Sequence, residues 1–455
     1  MAGLGGGSGK SVIAVGLSAL YTERGRRVVA FKKGPDYIDA GWLAFASGGA
    51  CFNLDPYLMT PEVIVRSFLR RSQGAELVLV EGNRGLYDGV DVAGAYSTAE
   101  LAGIINLPLL LVVNCTKTTR TVAAMVLGCL HLQEGIDIRG VVLNQVGSSR
   151  HQSIVRQSIE RYTGLPVWGA MPRLGRDIFP MRHLGVTPCP EYEGAAAAVA
   201  ALARAVAENL EIEAIERAMA PVPLLPAEQE ELRLDATAAP LPVRIGVLRD
   251  AAFQFYYAEN LAALRLAGAE LVEINALQAA ELPELDGLYI GGGFPETNVK
   301  ELADNATFRE SVRSRAEEGL PIYAECGGLI YLGESLTLEG VRYPLVGIFP
   351  VRFGMGRKPQ AHGYTNLTVS GENPFYPLAA EINGHEFRYS QVLSWEGKAE
   401  ELAFTMRRGV GFAAGRDGLV HRNVLALYTH IHALGTPQWA ELFVAKAREF
   451  QGAER

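Results

Sequence analysis

The chain has 455 residues, of which 49% are hydrophobic and 20% are charged, and its formal net charge is -8. A single hydrophobic core rarely extends beyond ~250–300 residues, so this length predicts two domains. The negative charge argues against general binding to nucleic acid, and no apolar run approaches the ~18 residues of a membrane span. Five cysteines without a C-x-x-C pair argue against a disulfide framework and a zinc cluster. Because no secretory signal is evident, we expect a cytoplasmic protein with reduced thiols.

The first half of the chain alternates short apolar runs with longer stretches suited to helical crossovers. The apolar runs end in glycine or polar residues, as buried parallel strands do, and they cover residues 26–34, 76–82, 107–116, 138–146 and 166–172. An alanine-rich helix is predicted over residues 193–219, with a break near Asn209. This pattern predicts an α/β domain with a parallel sheet over residues 1–219.

A change of composition separates this domain from the second half of the chain. Five prolines without sustained periodicity mark residues 220–242 as a linker. The alternation of strands and helices then restarts and predicts a second α/β domain over residues 243–455. Its predicted strands cover residues 243–250, 269–277, 285–293, 320–326 and 424–432.

A glycine-rich segment, GLGGGSGKS, occupies residues 3–11. Glycines such as Gly7 and Gly9 let backbone N–H groups turn inward around phosphate oxygens. Lys10 adds a positive charge, and Ser11 can ligate Mg²⁺ at the start of a helix. A flexible glycine-rich terminus is the alternative, but it does not explain a Lys-Ser pair followed by an apolar helix. The segment therefore predicts an ATP-binding loop, although the strand that should precede it is missing, which predicts an unfilled position at the centre of the sheet.

Four acidic residues stand near the ends of predicted strands in the same domain. Asp36 and Asp39 follow one strand, while Glu81 ends another and Asp88 lies in the loop beyond it. Such acids are often only solvated. At one edge of a parallel sheet beside a phosphate loop, however, carboxylates are the ligands that Mg²⁺ requires. We therefore expect them at the reaction centre.

In the second domain, the segment YAECGGLIYLG (323–333) places Cys326 between a predicted strand and a helix. A buried cysteine often only packs, but this arrangement resembles a nucleophile elbow, in which a sharp turn exposes the thiol. The segment YTHIH (428–432) offers His430 and His432 on one face of a strand, and His430 is the candidate base. Backbone N–H groups at Gly292 and Gly327 are candidate donors to an oxyanion.

The segments YIGGGFPE (289–296), YAECGGLIYLG and YTHIH together resemble a class I glutamine amidotransferase domain with a flavodoxin-like sheet. The resemblance implies that Cys326 attacks the glutamine amide with His430 as its base. The acid of such a triad normally stands two residues after the histidine, where this chain has His432. The resemblance therefore implies a thiol–histidine pair without an orienting carboxylate, and a slow or gated glutaminase.

The domain order, a dethiobiotin-synthetase-like ATPase followed by this glutaminase, resembles the cobyrinic acid a,c-diamide synthase family over nearly the whole chain. Segments that carry this resemblance include FKKGPDYIDAGW (31–42), NLDPYLM (53–59), VEGNRGLYDG (80–89), RDAAFQFYYAENL (249–261) and GHEFRYS (384–390). The resemblance implies ATP- and glutamine-dependent amidation of the a and c side-chain carboxylates of cobyrinate, a corrinoid precursor, through acyl phosphates. It places the reaction in cobalamin biosynthesis.

The same resemblance implies roles for the residues of the first domain. Lys10 and Ser11 would hold the triphosphate and Mg²⁺, and Asn144, with Asn114 as a weaker candidate, would contact the nucleotide or the sheet edge. The implied metal ligands are Ser11, Asp36 and Glu81. The acids at the metal or the reacting carboxylate are Asp36, Asp39, Glu81 and Asp88.

Tyr37 would lie against the macrocycle, and Arg84 would suit a polycarboxylate. Because Asn83 and Arg84 replace residues that are apolar in many cobyrinate enzymes, amidation of nickel-sirohydrochlorin is an alternative. A regulatory P-loop ATPase with a non-catalytic amidotransferase-like domain is an alternative from another class, which the retained Cys326 argues against. Expected partners are the small molecules tetrapyrrole polycarboxylate, glutamine and ATP, without nucleic acid or membrane, and a homodimer is left open.

Overall fold

The computed structural model describes residues 1–175, 181–182, 185–186, 189, 192, 194–224 and 242–453. The chain divides into two compact units, Met1–Leu232 and Arg233–Arg455. Of the predicted linker, residues 225–241 lie outside the described residues. Among the helices in the described ranges, none combines the length and the apolar character needed to cross a bilayer.

The first unit alternates strands and helices along the chain, as its apolar runs predict. Its strands are β1 (Ala2–Gly3), β2 (Val28–Lys33), β3 (Cys51–Leu54), β4 (Leu77–Glu81), β5 (Leu109–Asn114), β6 (Ile138–Val146), β7 (Val167–Pro172), β8 (Met181–Arg182) and β9 (Gly185–Val186). Its helices are α1 (Lys10–Glu23), α2 (Ile38–Ser47), α3 (Pro61–Ser72), α4 (Thr98–Ile104), α5 (Thr121–His131), α6 (Ser149–Thr163), α7 (Ala195–Asn209) and α8 (Ile212–Arg217). The predicted helix break near Asn209 is confirmed.

Parallel strands in the orders β3-β2-β4 and β1-β5-β6-β7 form the centre of this unit. Ala2 of β1 pairs with Leu111 of β5. On the other side, the backbone nitrogen of Met1 donates to the Val80 carbonyl at 2.7 Å, and its carbonyl accepts from the Gly82 N–H at 2.8 Å. The predicted unfilled position is therefore wrong, because the few residues before the loop bridge β4 and β5 and satisfy their backbone groups.

The second unit contains the other strands and helices. Its strands are β10 (Val243–Leu248), β11 (Phe253–Phe255), β12 (Ala269–Ile274), β13 (Gly287–Ile290), β14 (Gly292–Gly293), β15 (Ile322–Glu325), β16 (Gly333–Leu338), β17 (Val341–Pro344), β18 (Phe349–Met355), β19 (Ala361–Val369), β20 (Glu381–Arg388), β21 (Ser390–Trp395), β22 (Phe404–Arg408), β23 (Arg416–Asp417), β24 (Leu419–His421), β25 (Val424–Leu427) and β26 (His430–Ile431). Its helices are α9 (Ala258–Leu266), α10 (Val299–Asp304), α11 (Ala306–Glu318), α12 (Gly327–Leu332) and α13 (Gln438–Ala453), with short 3₁₀ turns at Pro295–Asn298 and Ala399–Glu401.

The main sheet of this unit has the order β12-β10-β13-β15-β25-β24, parallel except for β24. Residues 333–431 form a mixed sheet with the order β17-β16-β18-β21, in which β16 and β18 are parallel, and an antiparallel sheet with the order β23-β22-β19-β20-β26. The strand predicted over residues 424–432 is thus two strands, β25 and β26, which belong to different sheets. This change of sheet carries His430 into register opposite His385 of β20.

Candidate active sites

The phosphate loop of the first unit is a closed turn between β1 and α1. Gly7 and Gly9 have φ angles of +71° and +92°, a region that residues with a Cβ rarely adopt. The Ser8 hydroxyl donates to the Gly5 carbonyl at 2.8 Å and accepts from the Gly5 N–H at 3.2 Å. The loop is therefore shaped by its own polar groups before any phosphate is bound.

Lys10 and Asn144 tie this loop to its surroundings. Lys10 Nζ donates to the carbonyls of Gly5 at 3.2 Å and Arg84 at 2.7 Å, and burial lowers the pKa of Lys10. The Asn144 amide donates to the Ser8 carbonyl at 2.8 Å, so it holds the loop backbone. A contact between Asn144 and a nucleotide stays a prediction. Asn114 accepts from the Thr116 N–H at 2.8 Å, a local turn contact at the end of β5.

Three of the four predicted acids meet around one ammonium group. Lys32 Nζ lies 2.6 Å from Asp39, 3.1 Å from Glu81 and 3.8 Å from Asp36. The Ser11 hydroxyl donates to Glu81 Oε1 at 2.7 Å, which connects the cluster to the start of α1. Lys32 is almost completely buried, and a buried charge requires partners of opposite charge. We call Lys32, Asp36, Asp39 and Glu81 the lysine–acid cluster.

Burial and mutual repulsion perturb the protonation of this cluster. Burial, with the neighbouring Asp39 carboxylate, raises the pKa of Asp36 to about 7. Burial opposes the positive charge of Lys32, but the carboxylates of Asp39 and Glu81 raise its pKa well above its usual value. Perturbed carboxylates beside a phosphate loop are typical of a functional site.

The same cluster offers oxygen atoms to a hard cation. Within the described residues, no group of three or more His, Cys, Asp or Glu side chains is arranged to hold a metal ion by itself. Mg²⁺ needs fewer protein ligands, because nucleotide phosphates and water supply the others. Glu81 Oε2 is buried and has no hydrogen-bond partner, and the Ser11 hydroxyl is next to Oε1 of the same carboxylate. These oxygens fit Mg²⁺.

The other predicted residues lie on the loops around the cluster. Asp88 Oδ2 accepts from the Gly85 N–H at 2.8 Å, so this exposed carboxylate folds back on its own loop. Arg84 has a φ of +49° and an exposed side chain, while its carbonyl accepts from Lys10. Tyr37 is the half-buried residue that precedes α2. The structure therefore gathers Asp36, Asp39 and Glu81 around Lys32 and places Asp88, Arg84 and Tyr37 at the loops.

Sequence reasoning missed Lys32 and Asn53. The Asn53 amide donates to the carbonyls of Gly34 at 2.9 Å and Asp36 at 3.0 Å, which fixes the backbone of the loop that carries the acids. Both residues sit within apolar strands, β2 and β3, and polar side chains at such positions are rarely buried without partners. That position is the signal that could have identified them.

In the second unit, Cys326 occupies the turn between β15 and α12. Its φ and ψ are +47° and -93°, which a residue with a Cβ rarely adopts, and its N–H donates to the Leu427 carbonyl at 2.8 Å. Backbone strain of this kind persists only where the surroundings enforce it, and it is typical of nucleophile elbows. The turn presents the thiol at the end of the parallel sheet.

His430 lies beside this thiol. Burial opposes protonation of the imidazole, but hydrogen bonds with Cys326 and Glu325 raise the pKa of His430 to about 10. A Cβ at Gly292 would come within 2.4 Å of His430 Cε1, so only glycine permits this approach. Gly327 begins α12 and lies against the backbone of Gly293. Both glycines predicted at the oxyanion site are therefore next to the thiol–histidine pair.

The expected lack of an orienting carboxylate is wrong. Glu325, the residue before the nucleophile, is fully buried and places Oε2 3.3 Å from His430 Nδ1. His432 does not share the strand of His430, since β26 ends at Ile431, and its Nε2 lies 3.6 Å from Glu259. The acid was expected two residues after His430, whereas the structure supplies it from the residue directly before Cys326.

Comparison with known proteins agrees with both sites. Residues 1–179 match the CobQ/CobB/MinD/ParA nucleotide binding domain, and residues 244–438 match the CobB/CobQ-like glutamine amidotransferase domain. Relatives described as cobyrinate a,c-diamide synthases occur in Magnetococcus marinus, Archaeoglobus fulgidus and Methanothermobacter thermautotrophicus. Their identities are 42%, 38% and 36%, over 97%, 96% and 99% of this chain and 95%, 95% and 99% of the relatives.

The phosphate loop and the Cys326 site, with these matches, define a glutamine-dependent ligase that carries a nucleotide-binding domain. The chain belongs to the cobyrinate a,c-diamide synthase family, as the similarity over nearly its full length shows. The resemblance stated from the sequence is therefore confirmed.

Proposed function

We propose that this protein amidates the a and c side-chain carboxylates of cobyrinate, with ATP as the activating nucleotide and glutamine as the nitrogen donor, in the cytoplasm. The observation that carries the proposal is the presence, in one chain, of a phosphate loop bonded to the lysine–acid cluster and of a Cys326–His430 pair. Relatives that this chain matches over nearly their whole length carry the name of this activity.

In the second unit, the proposed reaction is hydrolysis of the glutamine side-chain amide. The Cys326 proton passes to His430, the sulfur attacks the amide carbon, and the resulting oxyanion faces the backbone near Gly292 and Gly327. His430 returns the proton to the leaving nitrogen as the C–N bond breaks, which releases ammonia and leaves a thioester. Water then attacks the thioester, with His430 as the base, and releases glutamate.

In the first unit, the proposed reaction is activation of a carboxylate. A carboxylate oxygen attacks the γ-phosphorus of ATP, ADP leaves, and ammonia then displaces phosphate from the acyl phosphate. Lys10 and the loop N–H groups hold the triphosphate, while Lys32 balances the negative charge that gathers where carboxylate and phosphate meet. Mg²⁺ would be held by Ser11 with Glu81 or Asp36, and it supplies neutralisation of phosphate charge.

The loops beside the cluster are the proposed substrate contacts. Arg84, with its exposed guanidinium, suits the several carboxylates of a corrin ring, because arginine binds carboxylates through two parallel hydrogen bonds. Tyr37 is proposed to lie against the macrocycle, with Asp88 near the reacting carboxylate. These three substrate contacts are proposed from the family resemblance and from the position of the residues on the loops beside the cluster.

Product analysis tests the substrate. Cobyrinate and nickel-sirohydrochlorin are each offered with ATP, Mg²⁺ and glutamine, and the products are identified by mass spectrometry. We expect two successive replacements of carboxylate by amide on cobyrinate, with ADP, phosphate and glutamate formed in equal amounts. Amidation of nickel-sirohydrochlorin alone would overturn the proposed substrate, and amidation of neither would overturn the proposed function.

A further inference from the structure

The carboxylate beside His430 comes from a place where triads of this type are not expected to supply it. Glu325 is the last residue of β15, in the middle of the main sheet, and its side chain is fully buried. Oε2 lies 3.3 Å from His430 Nδ1 and accepts from the Tyr289 hydroxyl at 3.4 Å. Oε1 accepts from the Ile431 N–H at 3.4 Å. A buried carboxylate with these partners is held in one orientation.

We infer that Glu325 is the third member of a Cys326–His430–Glu325 triad and positions the imidazole for glutamine hydrolysis. This inference rests on the proposed function of Cys326 and His430. The Nδ1–H of His430 points to Glu325, so Nε2 is the nitrogen left for the thiol. As a positioning residue, Glu325 stabilises the imidazolium that forms when the Cys326 proton is transferred.

His432, in the position where an acid is expected, cannot take this role. Its Nδ1 accepts from the Leu434 N–H at 3.2 Å, and its Nε2 faces Glu259 at 3.6 Å. His432 and Glu259 are therefore a separate pair. The His432 ring packs against the ring of Tyr257 at a tilt of 52°, with 4.5 Å between the ring centroids.

Besides Glu259, the buried carboxylates of Glu386 and Asp417 lie near this site and bind backbone groups. Glu386 accepts from the N–H groups of residues 410–411, and Asp417 accepts from those of residues 428–429. Asp417 thus fixes the chain just before His430 without reaching its ring. Glu325 is the carboxylate that the imidazole itself contacts.

A stacked histidine makes this carboxylate more important. The ring of His385 lies parallel to that of His430, with 4.9 Å between centroids and 19° between planes. Burial, followed by the charge of His430, lowers the pKa of His385 well below its usual value, so it stays neutral. The titratable groups around the imidazole and its carboxylate are Cys326, His385, His432, Tyr257 and Tyr289. None of these five residues is a carboxylate. The carboxylate that contacts the His430 ring and offsets its positive charge is Glu325.

The test is Glu325→Gln in the full chain, with glutamate release measured from about pH 5 to pH 10. We expect kcat for glutamine hydrolysis to fall by about 100-fold or more with the KM for glutamine nearly unchanged. Because the carboxylate raises the pKa of His430, the alkaline limb of the profile should move to lower pH. Glu325→Asp, which restores the charge on a shorter side chain, should recover part of the rate and of the shift.

Two controls separate the possible results. Glu259→Gln changes the buried partner of His432 and should keep the glutaminase rate within about threefold, and a loss equal to that of Glu325→Gln would overturn the assignment.

The rate of Cys326 alkylation by iodoacetamide, measured against pH, reports on the thiol–imidazole pair without turnover. Identical profiles in the wild type and in Glu325→Gln would also overturn the assignment. Far-UV circular dichroism verifies that each variant is folded, because ammonia-dependent amidation takes place in the other unit. If the wild type releases no glutamate but Glu325→Gln still shifts the alkylation profile of Cys326, only the proposed function is contradicted.

Discussion

The two candidate sites differ in how they balance buried charge. In the first unit, one ammonium group, Lys32, is shared by three carboxylates, and Glu81 retains a buried oxygen without a partner. In the second unit, the imidazole of His430 on β26 contacts one thiol, Cys326, and one carboxylate, Glu325 at the end of β15. The first site has more carboxylates than positive charges, so a bound cation can balance it. The second already has the groups that its proposed chemistry requires.

This difference predicts that the two activities can be lost separately. The unbalanced carboxylates of the first site affect both the stability of the unit and the binding of its ligands. The triad of the second site affects the chemical step of glutamine hydrolysis. Substitutions in the two sites can therefore be compared by measuring glutamine hydrolysis, amidation with glutamine and amidation with free ammonia on the same variant.

The largest effect is expected for Cys326→Ala. Removal of the nucleophile should lower glutamine hydrolysis by about 10⁴-fold or more, and amidation with glutamine should fall with it. Amidation with ammonium chloride should continue near the wild-type rate, because the activating residues are in the other unit. A Cys326→Ala variant that still releases glutamate would show that the nucleophile is another residue. Cys129→Ala, at a half-buried free thiol of the first unit, is the matched control.

Lys32→Met should lower the stability of the first unit, because it removes the positive charge of the lysine–acid cluster. Without the ammonium group, the fully buried carboxylate of Glu81 and the partly exposed carboxylate of Asp39 lose their shared partner, and breaking a buried ion pair from one side costs about 3–5 kcal/mol. Urea unfolding followed by far-UV circular dichroism should show this loss in the first unit, while glutaminase activity is kept in buffer. Lys117→Met removes an exposed ammonium of the same unit and should change stability little. Equal stability of Lys32→Met and wild type would show that the cluster does not need its cation.

Much of both sites was predictable from sequence because glycine and nucleophile patterns are local. The turn around Gly7 and Gly9 and the strand–Cys–Gly–Gly–helix segment each specify their backbone within a few residues. Apolar runs likewise predicted β2, β4, β6 and β10 close to their observed bounds. In these cases the residues that form the sequence pattern are the same residues that form the turn or strand.

The failures all involve groups that are brought together by long-range pairing. Glu325 reaches His430 because β26 leaves the main sheet and pairs with β20, a choice that no local pattern in residues 424–432 records. Lys32 is one of two consecutive lysines at the end of β2, and the fold buries it against Asp39 of α2 and Glu81 of β4. The sheets of residues 333–431 went unpredicted because strands such as β18 and β19 alternate buried and exposed residues, whereas the predicted strands are near-continuous apolar runs.

Glu81→Gln tests the chemical role of the cluster with a smaller change. Glutamine keeps the shape of the side chain and can still accept from Ser11, but it removes the charge opposite Lys32. We expect amidation to fall by about 100-fold with either nitrogen source while glutamine hydrolysis stays normal. Glu62→Gln, an exposed change in α3, is the control. Equal loss of both activities would contradict the independence of the two sites.

The smallest effect is expected for Asn144→Ala, which sharpens the comparison at the phosphate loop. The amide holds the Ser8 carbonyl at 2.8 Å, and losing a buried hydrogen bond of this kind costs about 1–3 kcal/mol. Since the loop is preformed, this loss should raise the KM for ATP by about tenfold and leave glutamine hydrolysis unchanged. If kcat for amidation fell while the KM for ATP stayed constant, Asn144 would act on the reacting phosphate rather than through the loop. Asn209→Ala, at the end of α7, removes a helix-surface amide of the same unit and should leave the KM for ATP unaltered.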